Sequence, residues 1–159
     1  MSRVVEQPAY DDAAALREVW YYAAPARRVR RGRLLARHIL GEPIVLSRDR
    51  AGAVFALRDI CPHRGMPLSA GRFDGYEIEC CYNGWRFAPD GRCTAIPSLE
   101  GQRFDLATVG VTRYPAREVQ GNIWVYFGDD PGRAPEIPAR SRYCSSRDLP
   151  LKDARPVFP

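Results

Sequence analysis

Short runs of branched and aromatic residues, separated by polar turn signals, dominate the hydrophobic pattern of this chain. Six such runs occupy residues 20–23, 34–40, 43–47, 54–60, 77–82 and 123–127. Runs of this length and composition are typical of β-strands. Turn signals at residues 48–52, 89–91 and 120–122 separate neighbouring runs at hairpin distance, which predicts antiparallel pairing. The pattern therefore predicts an all-β, antiparallel fold.

Two segments depart from this pattern. Residues 11–19 combine helix-compatible alanines and Leu16 with two aspartates that can cap a helix start, so they predict a short helix. Beyond Gly128 the chain becomes rich in proline and polar residues and loses its periodicity. We therefore predict one domain over residues 1–128, followed by a linker over residues 129–159.

Composition limits the classes of protein to consider. The 159 residues are 45% hydrophobic and 27% charged, as in a single globular domain. No segment has the roughly 20 apolar residues of a membrane span, and residues 1–12 lack the features of a secretion signal. These features predict a cytoplasmic protein with no membrane partner.

Arginines account for most of the net charge of +5. Five of them form a dense run: Arg27, Arg28, Arg30, Arg31 and Arg33. The run contains no interleaved aromatic residues and matches no nucleic-acid-binding motif, so we interpret it as a solvated loop. Nucleic acid is therefore not among the expected partners.

The cysteines suggest metal binding. The chain has five of them, an odd number, and a reducing cytosol disfavours a disulfide framework. Cys61, Cys80 and Cys81 lie in a short window with His63, one of only two histidines. Cys93 and Cys144 have no such neighbours, and we expect them to be small buried or incidental thiols.

Two short motifs in this window have the spacing of metal-ligand loops. They are Cys61-Pro62-His63-Arg64-Gly65 and Cys80-Cys81-Tyr82-Asn83-Gly84-Trp85. Each motif leaves a predicted strand, so the two loops can face each other at the tips of adjacent hairpins. Thiolates suit iron in sulfide clusters, and imidazoles can replace two thiolates on one iron, which makes the cluster easier to reduce.

With these motifs, the sequence resembles the Rieske family, and more specifically the N-terminal domain of the α subunits of Rieske non-haem iron oxygenases. The resemblance also includes Trp20-Tyr21-Tyr22, residues 41–46, Pro67-Leu68-Ser69, Ile96-Pro97 and residues 121–125. It implies a Rieske-type antiparallel β-sandwich with a small cluster-binding subdomain at about residues 61–97. Its cofactor would be a 2Fe–2S cluster, with Cys61 and Cys80 on one iron and His63 on the other. Gly65 and Gly84 would let backbone amides approach the sulfides.

One position departs from the family pattern. Asn83 stands where the family has its second histidine ligand, and a carboxamide is a hard, weak ligand for iron. This substitution predicts a labile or absent cluster. Cys81 is an alternative fourth ligand, although side-chain alternation turns it away if Cys80 faces the cluster. His38 belongs to an earlier predicted strand and is interpreted as a strand residue.

The resemblance implies an electron-transfer role in an aromatic ring-hydroxylating or demethylating oxygenase. Electrons would come from a reductase or ferredoxin and pass to a catalytic iron domain. Besides His63 only His38 remains, so two histidines and a carboxylate cannot assemble a mononuclear iron site, and no catalytic residue is assigned. We expect a chain that stops before the catalytic domain, with residues 129–159 leading toward it.

Two alternatives stay open at this point. The first is a free-standing Rieske ferredoxin. Met66 and Tyr82 occupy the positions where respiratory Rieske proteins carry a loop-linking disulfide, so the oxygenase and ferredoxin branch is favoured. The second is a Rieske-fold binding module that has lost its cluster and holds zinc through Cys61, His63 and Cys80.

Overall fold

The computed structural model describes residues 17–128 and 130–137. Eleven β-strands and several short 3₁₀ turns make up the described part of the chain, and no α-helix occurs in it. The strands are β1 (Val19–Pro25), β2 (Leu35–Ile39), β3 (Glu42–Arg48), β4 (Val54–Arg58), β5 (Arg72–Phe73), β6 (Ile78–Glu79), β7 (Arg86–Phe87), β8 (Cys93–Ala95), β9 (Arg113–Tyr114), β10 (Ala116–Val119) and β11 (Asn122–Phe127). The predicted all-β fold is confirmed.

The strands form three antiparallel sheets. The outer sheet has the order β1-β11-β10, the central sheet β2-β3-β4-β9, and the small sheet β5-β6-β7-β8. The three predicted hairpin turns join β3 to β4, β7 to β8 and β10 to β11, and each of these pairs is antiparallel. The small sheet lies within the predicted 61–97 range.

The central sheet is buried on both faces. Alternate residues of β3 point to opposite sides, so Ile44 and Leu46 pack toward the outer sheet while Val45 packs toward the small sheet. All three side chains are 0% exposed. Burial of such a side chain stabilises the fold by about 1.5–3 kcal/mol. The uninterrupted apolar run in β3 is the sequence counterpart of this two-sided burial.

Two sequence predictions need correction. A helix was predicted over residues 11–19, of which residues 11–16 lie outside the described residues. Val19 is the first residue of strand β1, so the helical prediction is wrong at that position. The predicted strand over residues 77–82 is only Ile78–Glu79, because the chain enters a loop at Cys80. His38 does lie on a strand, β2, where it pairs with Pro43 and is exposed.

Part of the predicted linker contacts the domain. Residues 130–137 include a 3₁₀ turn at Pro131–Arg133, and the Pro135 carbonyl accepts a hydrogen bond from Trp20 Nε1 at 2.7 Å.

The five arginines of the basic run are all exposed, as expected for a solvated loop. Nowhere in the described residues does a helix reach the length and apolar character that crossing a bilayer requires.

A partly buried tyrosine links two strands of the central sheet and makes stability depend on pH. The Tyr114 hydroxyl on β9 donates to Glu42 Oε2 at the start of β3. Burial raises the pKa of Tyr114 well above its ordinary value, and the Glu42 carboxylate raises it further. The folded state therefore favours the neutral phenol. This contribution is present below the unfolded pKa of about 10 and is lost as pH rises toward the folded value.

We expect Tyr114→Phe to lower the free energy of unfolding by about 1 kcal/mol at pH 7, because Glu42 loses its donor. The fall in stability above about pH 10 should also become shallower in this variant. Urea denaturation between pH 7 and 11 measures both effects. The control is Tyr22→Phe on the exposed side of β1, which should change neither. An unchanged alkaline slope in Tyr114→Phe would contradict the assignment.

Candidate metal centre

Two loops with the same backbone hydrogen bonds carry the predicted ligands. In the first loop, residues 61–66, the Cys61 amide donates to the Met66 carbonyl and the Gly65 amide donates to the Cys61 carbonyl, both at 2.8 Å. In the second loop, residues 80–85, Cys80 donates to Trp85 at 2.8 Å and Gly84 donates to Cys80 at 3.1 Å. The fourth residue after each cysteine is thus a glycine that closes a turn.

Both glycines have a backbone conformation that other residues rarely adopt. Gly65 has a φ of 73° and Gly84 a φ of 69°. A residue with a Cβ is strained in this left-handed region, so glycine is the natural choice at each turn. The Cys-x-x-x-Gly spacing in the sequence is therefore a signal of loop geometry as well as of ligands.

The loops bring two buried thiols together. Cys61 is 2% exposed and Cys80 is 3% exposed, and both belong to the apolar cluster between the central and small sheets. The Cys80 thiol is a close enough neighbour to influence the Cys61 thiol. Burial raises the pKa of Cys61 to about 11, the backbone N–H groups of His63 and Arg64 act against this rise, and the Cys80 thiol adds to it.

His63 belongs to the first loop and faces the second. Its imidazole ring stacks on the Trp85 indole, with centroids 4.8 Å apart and planes 10° from parallel. The Tyr82 ring is 6.4 Å from His63. Both aromatic residues belong to the second loop, so this loop faces the histidine of the first. His63 itself is partly exposed.

The remaining candidate residue, Asn83, and the other cysteines differ in burial from Cys61 and Cys80 or lie outside the two loops. Asn83 and Cys81 are exposed, whereas Cys80 is buried. Cys93 is buried in the same apolar cluster, and its thiol contacts the Ala95 carbonyl at 3.6 Å. Cys144 lies outside the described residues.

Comparison with known families gives one match over most of the chain: residues 19–140 match the Rieske [2Fe-2S] domain. This chain belongs to the Rieske family. Family membership implies a 2Fe–2S cluster. The matched residues include both loops and all three sheets. The match also extends past residue 128, so the domain boundary proposed there stays a prediction.

Rieske-type oxygenase components are among the similar proteins. The chain is 38% identical over 136 residues to the oxygenase component of chloroacetanilide N-alkylformylase from Rhizorhabdus wittichii, covering 86% of this chain and 38% of that protein. It is 38% identical over 117 residues to the oxygenase subunit of 3-chlorobenzoate-3,4-dioxygenase from Comamonas testosteroni, covering 71% and 26%. The crystal structure of apo dicamba monooxygenase superposes with a TM-score of 0.69 at 37% identity, covering 77% of this chain and 38% of that one. The chain thus spans well under half the length of these relatives.

The donors present suit a Rieske cluster at three positions and not at the fourth. Cys61 and Cys80 supply two buried thiols, and His63 supplies an imidazole from the same loop as Cys61. Asn83, at the position predicted for the second imidazole, carries only a carboxamide, which is a weak donor to iron. The described residues contain no group of three or more His, Cys, Asp or Glu side chains placed to hold a single metal ion. In a Rieske cluster thiolates and imidazoles bind different irons, so such a grouping does not test the assignment.

A buried carboxylate, Asp59, closes the first loop, and the sequence analysis did not identify it. Asp59 Oδ1 accepts from the Ser69 amide at 2.6 Å, and Oδ2 accepts from the Ser69 hydroxyl at 2.5 Å. The Asp59 amide also donates to the Pro43 carbonyl of β3 at 2.8 Å. The carboxylate thereby joins the chain before Cys61 to the chain after Met66 and fixes both to the central sheet. An acidic residue at a strand end is too common for its sequence position to reveal this role.

An exposed charge ladder stabilises the register of the small sheet next to Cys80. Glu79 on β6 bonds to Arg72 on β5 at 2.7 Å and to Arg86 on β7 at 3.0 Å. The pairing with Arg72, and to a lesser extent Arg86, lowers the pKa of Glu79. All three side chains reach solvent, so each pair contributes little to stability. The ladder matters chiefly because it matches the strand register that places Cys80.

We expect Asp59→Ala to destabilise the protein by about 1–3 kcal/mol, because it leaves the Ser69 amide and hydroxyl without their acceptor. The matched control is Asp74→Ala. Asp74 also accepts two hydrogen bonds, from the amides of Tyr76 and Glu77, but it is exposed and water can replace it. Urea denaturation gives both free energies, and amide hydrogen exchange at Ser69 and Gly65 reports on the loop. Equal losses in the two variants would show that Asp59 has no special part in closing the loop.

Proposed function

We propose that this domain transfers single electrons through a Rieske-type 2Fe–2S cluster in an oxygenase system. Cys61 and Cys80 would bind one iron and His63 the other, with Asn83 at the fourth ligand position. The observation that carries this proposal is the burial of two cysteines in one apolar cluster, on loops of matching hydrogen-bond geometry, in a chain of the Rieske family.

When bound, the cluster supplies a one-electron redox centre whose potential, in Rieske proteins, lies between roughly −150 and +300 mV. The protein shapes the surroundings of this centre. The apolar cluster around Cys61 and Cys80 excludes water from the thiol side. Two backbone N–H groups, of His63 and Arg64, point at the Cys61 sulfur and stabilise negative charge there. Hydrogen bonds to sulfur raise the reduction potential of iron–sulfur centres because they favour the more negative, reduced state.

The exposed side of the site is where electrons would enter and leave. His63 is partly exposed, and the stacked Trp85 ring holds its orientation. The buried thiols lie on the far side, against the central sheet. A redox partner that approaches the two loops therefore comes nearest the domain's ligands at His63.

The wider role is inferred from the relatives. One of them is named as an oxygenase subunit and another as an oxygenase component, so we expect an electron-donating reductase or ferredoxin and a catalytic iron domain as acceptor. In this proposal residues 1–128 are the electron-transfer domain, residues 61–97 its cluster-binding part and residues 129–159 a linker. Catalysis belongs to the mononuclear iron site of the acceptor domain, and the cytoplasm is the proposed location. The substrate is set by that acceptor domain.

Paired variants test the ligand assignment. We expect Cys80→Ser to abolish incorporation of iron and sulfide, because a thiolate ligand is lost, whereas Cys81→Ser at the exposed neighbouring thiol leaves it unchanged. His63→Ala should likewise lower cluster content, while His38→Ala on β2 should not. The protein should carry no histidine tag, and anaerobic reconstitution should be followed by iron and sulfide analysis and by reduced-state electron paramagnetic resonance (EPR).

Each outcome decides something about the proposal. A protein that stays colourless and iron-free after reconstitution would refute electron transfer and support the cluster-free binding module. If Cys81→Ser lost the cluster and Cys80→Ser retained it, the ligand would have to be assigned to the exposed thiol of Cys81. Equal effects of His63→Ala and His38→Ala would contradict the assignment of His63.

Asn83→His should increase cluster retention, because an imidazole replaces a weak amide donor at the second loop. Ligands that bind only the folded state stabilise it, so the reconstituted variant should also melt at a higher temperature than the reconstituted parent. A gain of about 1 kcal/mol corresponds to roughly 2–4 °C for a chain of this size. The cluster-free forms of the two proteins should melt alike, since Asn83 is exposed. If the variant retains no more iron than the parent, residue 83 is not a ligand position.

A further inference from the structure

The outer sheet buries a tyrosine on the face that points away from the core. Ile123, Val125 and Phe127 of β11 pack into the apolar cluster between the outer and central sheets. Because side chains alternate along a strand, Tyr126 points to the opposite face. It is nevertheless 0% exposed. Something other than the sandwich core must therefore cover this face.

Part of the cover comes from β1 and the residue before it. Trp20 pairs with Tyr126 in the strand register, and the two rings lie 5.4 Å apart on the same face. The Tyr126 hydroxyl donates to Glu18 Oε2. The Arg117 guanidinium of β10 lies 5.2 Å from the centre of the Trp20 ring. These contacts leave the indole N–H of Trp20 to bond to another segment.

That segment is residues 130–137, which we call the strap. The Pro135 carbonyl of the strap accepts from Trp20 Nε1 at 2.7 Å, so it joins two points that are 115 residues apart in the chain. The strap begins with a turn, in which Asp130 Oδ1 accepts from the Gly132 amide at 2.8 Å. The strap therefore has an ordered start and a second attachment at Trp20.

The chain also fits closely over Tyr126 where it leaves β11. A Cβ at Gly128 would overlap the hydroxyl and ring atoms of Tyr126. Glu18 is the main cause of the raised pKa of Tyr126, and the charges of Asp130 and Arg133 also act on it. The strap thus passes beside Tyr126 before it reaches Trp20.

From these contacts we infer that the strap is a closing device that holds the chain after β11 against the outer sheet, fastened by the hydrogen bond between Trp20 and Pro135. Opening the strap would expose the rings of Trp20 and Tyr126. The linker proposed over residues 129–159 then begins after Ile137, and the next segment is joined to the domain beside Trp20. This inference requires no cluster, so its failure would leave the electron-transfer proposal untouched.

Limited digestion of the full chain with trypsin tests the inference, because the strap contains a cleavable bond after Arg133. When opening is fast relative to cleavage, the cleavage rate reports the population of the open form. Trp20→Phe removes the N–H donor and keeps an aromatic ring. We expect it to accelerate cleavage after Arg133 roughly two- to tenfold, the effect of losing one hydrogen bond. Cleavage after Arg103, which is exposed and outside the strap, should keep its rate.

Trp124→Phe is the matched control. Trp124 lies two residues before Tyr126 on the same face of β11, and its indole N–H has no hydrogen-bond partner in the part of the chain that the structure describes. Its loss should change neither rate. Gly128→Ala is a second test that leaves Trp20 intact. It should also accelerate cleavage after Arg133, because its Cβ displaces the chain from Tyr126.

Three results would overturn the inference. The first is equal acceleration in Trp20→Phe and Trp124→Phe, because the bond to Pro135 would then have no special part. The second is cleavage after Arg133 in the parent as fast as in a peptide of residues 128–140, because the strap would then give no protection. The third is an unchanged rate in Gly128→Ala. If Trp20→Phe also accelerates cleavage after Arg103, it loosens the whole domain, and an acceleration in Gly128→Ala confined to Arg133 would then support the strap.

Discussion

Burial of the central sheet on both faces is the constraint on which the rest of the structure depends. Ile44 and Leu46 pack toward the outer sheet, and Val45 between them packs into the cluster that contains Cys61 and Cys80. Because side chains alternate along a strand, a register slip of one residue in β3 would exchange these two cores. Cys61 and Cys80 therefore share an apolar cluster with the strand that holds the sandwich together, and the Asp59 amide adds a direct hydrogen bond from the segment just before the first loop to Pro43 of β3.

Placing thiols in an apolar core creates an electrostatic conflict. Burial raises the pKa of Cys61, whereas iron binds thiolates, so binding at this site must release protons. The N–H groups of His63 and Arg64 reduce the conflict because they stabilise negative charge on the sulfur. In the proposed assignment, residues 61–64 would supply one thiolate ligand, the N–H groups that stabilise it and one imidazole ligand. Several of the proposed roles at the site are therefore concentrated in one short segment of the first loop.

Sequence pattern predicted the longer strands and failed for the shortest. β1, β3, β4 and β11 have five to seven residues of branched and aromatic character, enough for the strand signal to appear. β5 and β7 have two residues each, which is too short for any alternation, and they exist because the small sheet packs on Val45 and Leu57. At the site, ligand spacing and the two glycines were visible in the sequence. The Asp59 tether and the stacking of His63 on Trp85 were not, because both join residues that only the tertiary fold brings together.

Backbone geometry and ligand identity are separable in this domain. The turns of both loops are closed by main-chain hydrogen bonds and by glycines with positive φ, so they form whether residue 83 is histidine or asparagine. The apolar cluster beneath them is filled by residues that do not include Asn83. Replacing a histidine at this position therefore changes the stability of the fold little. We expect its main effect to be on iron coordination and on the retention of iron. The same separation explains how a chain can have the fold of a Rieske domain while asparagine stands at one predicted ligand position.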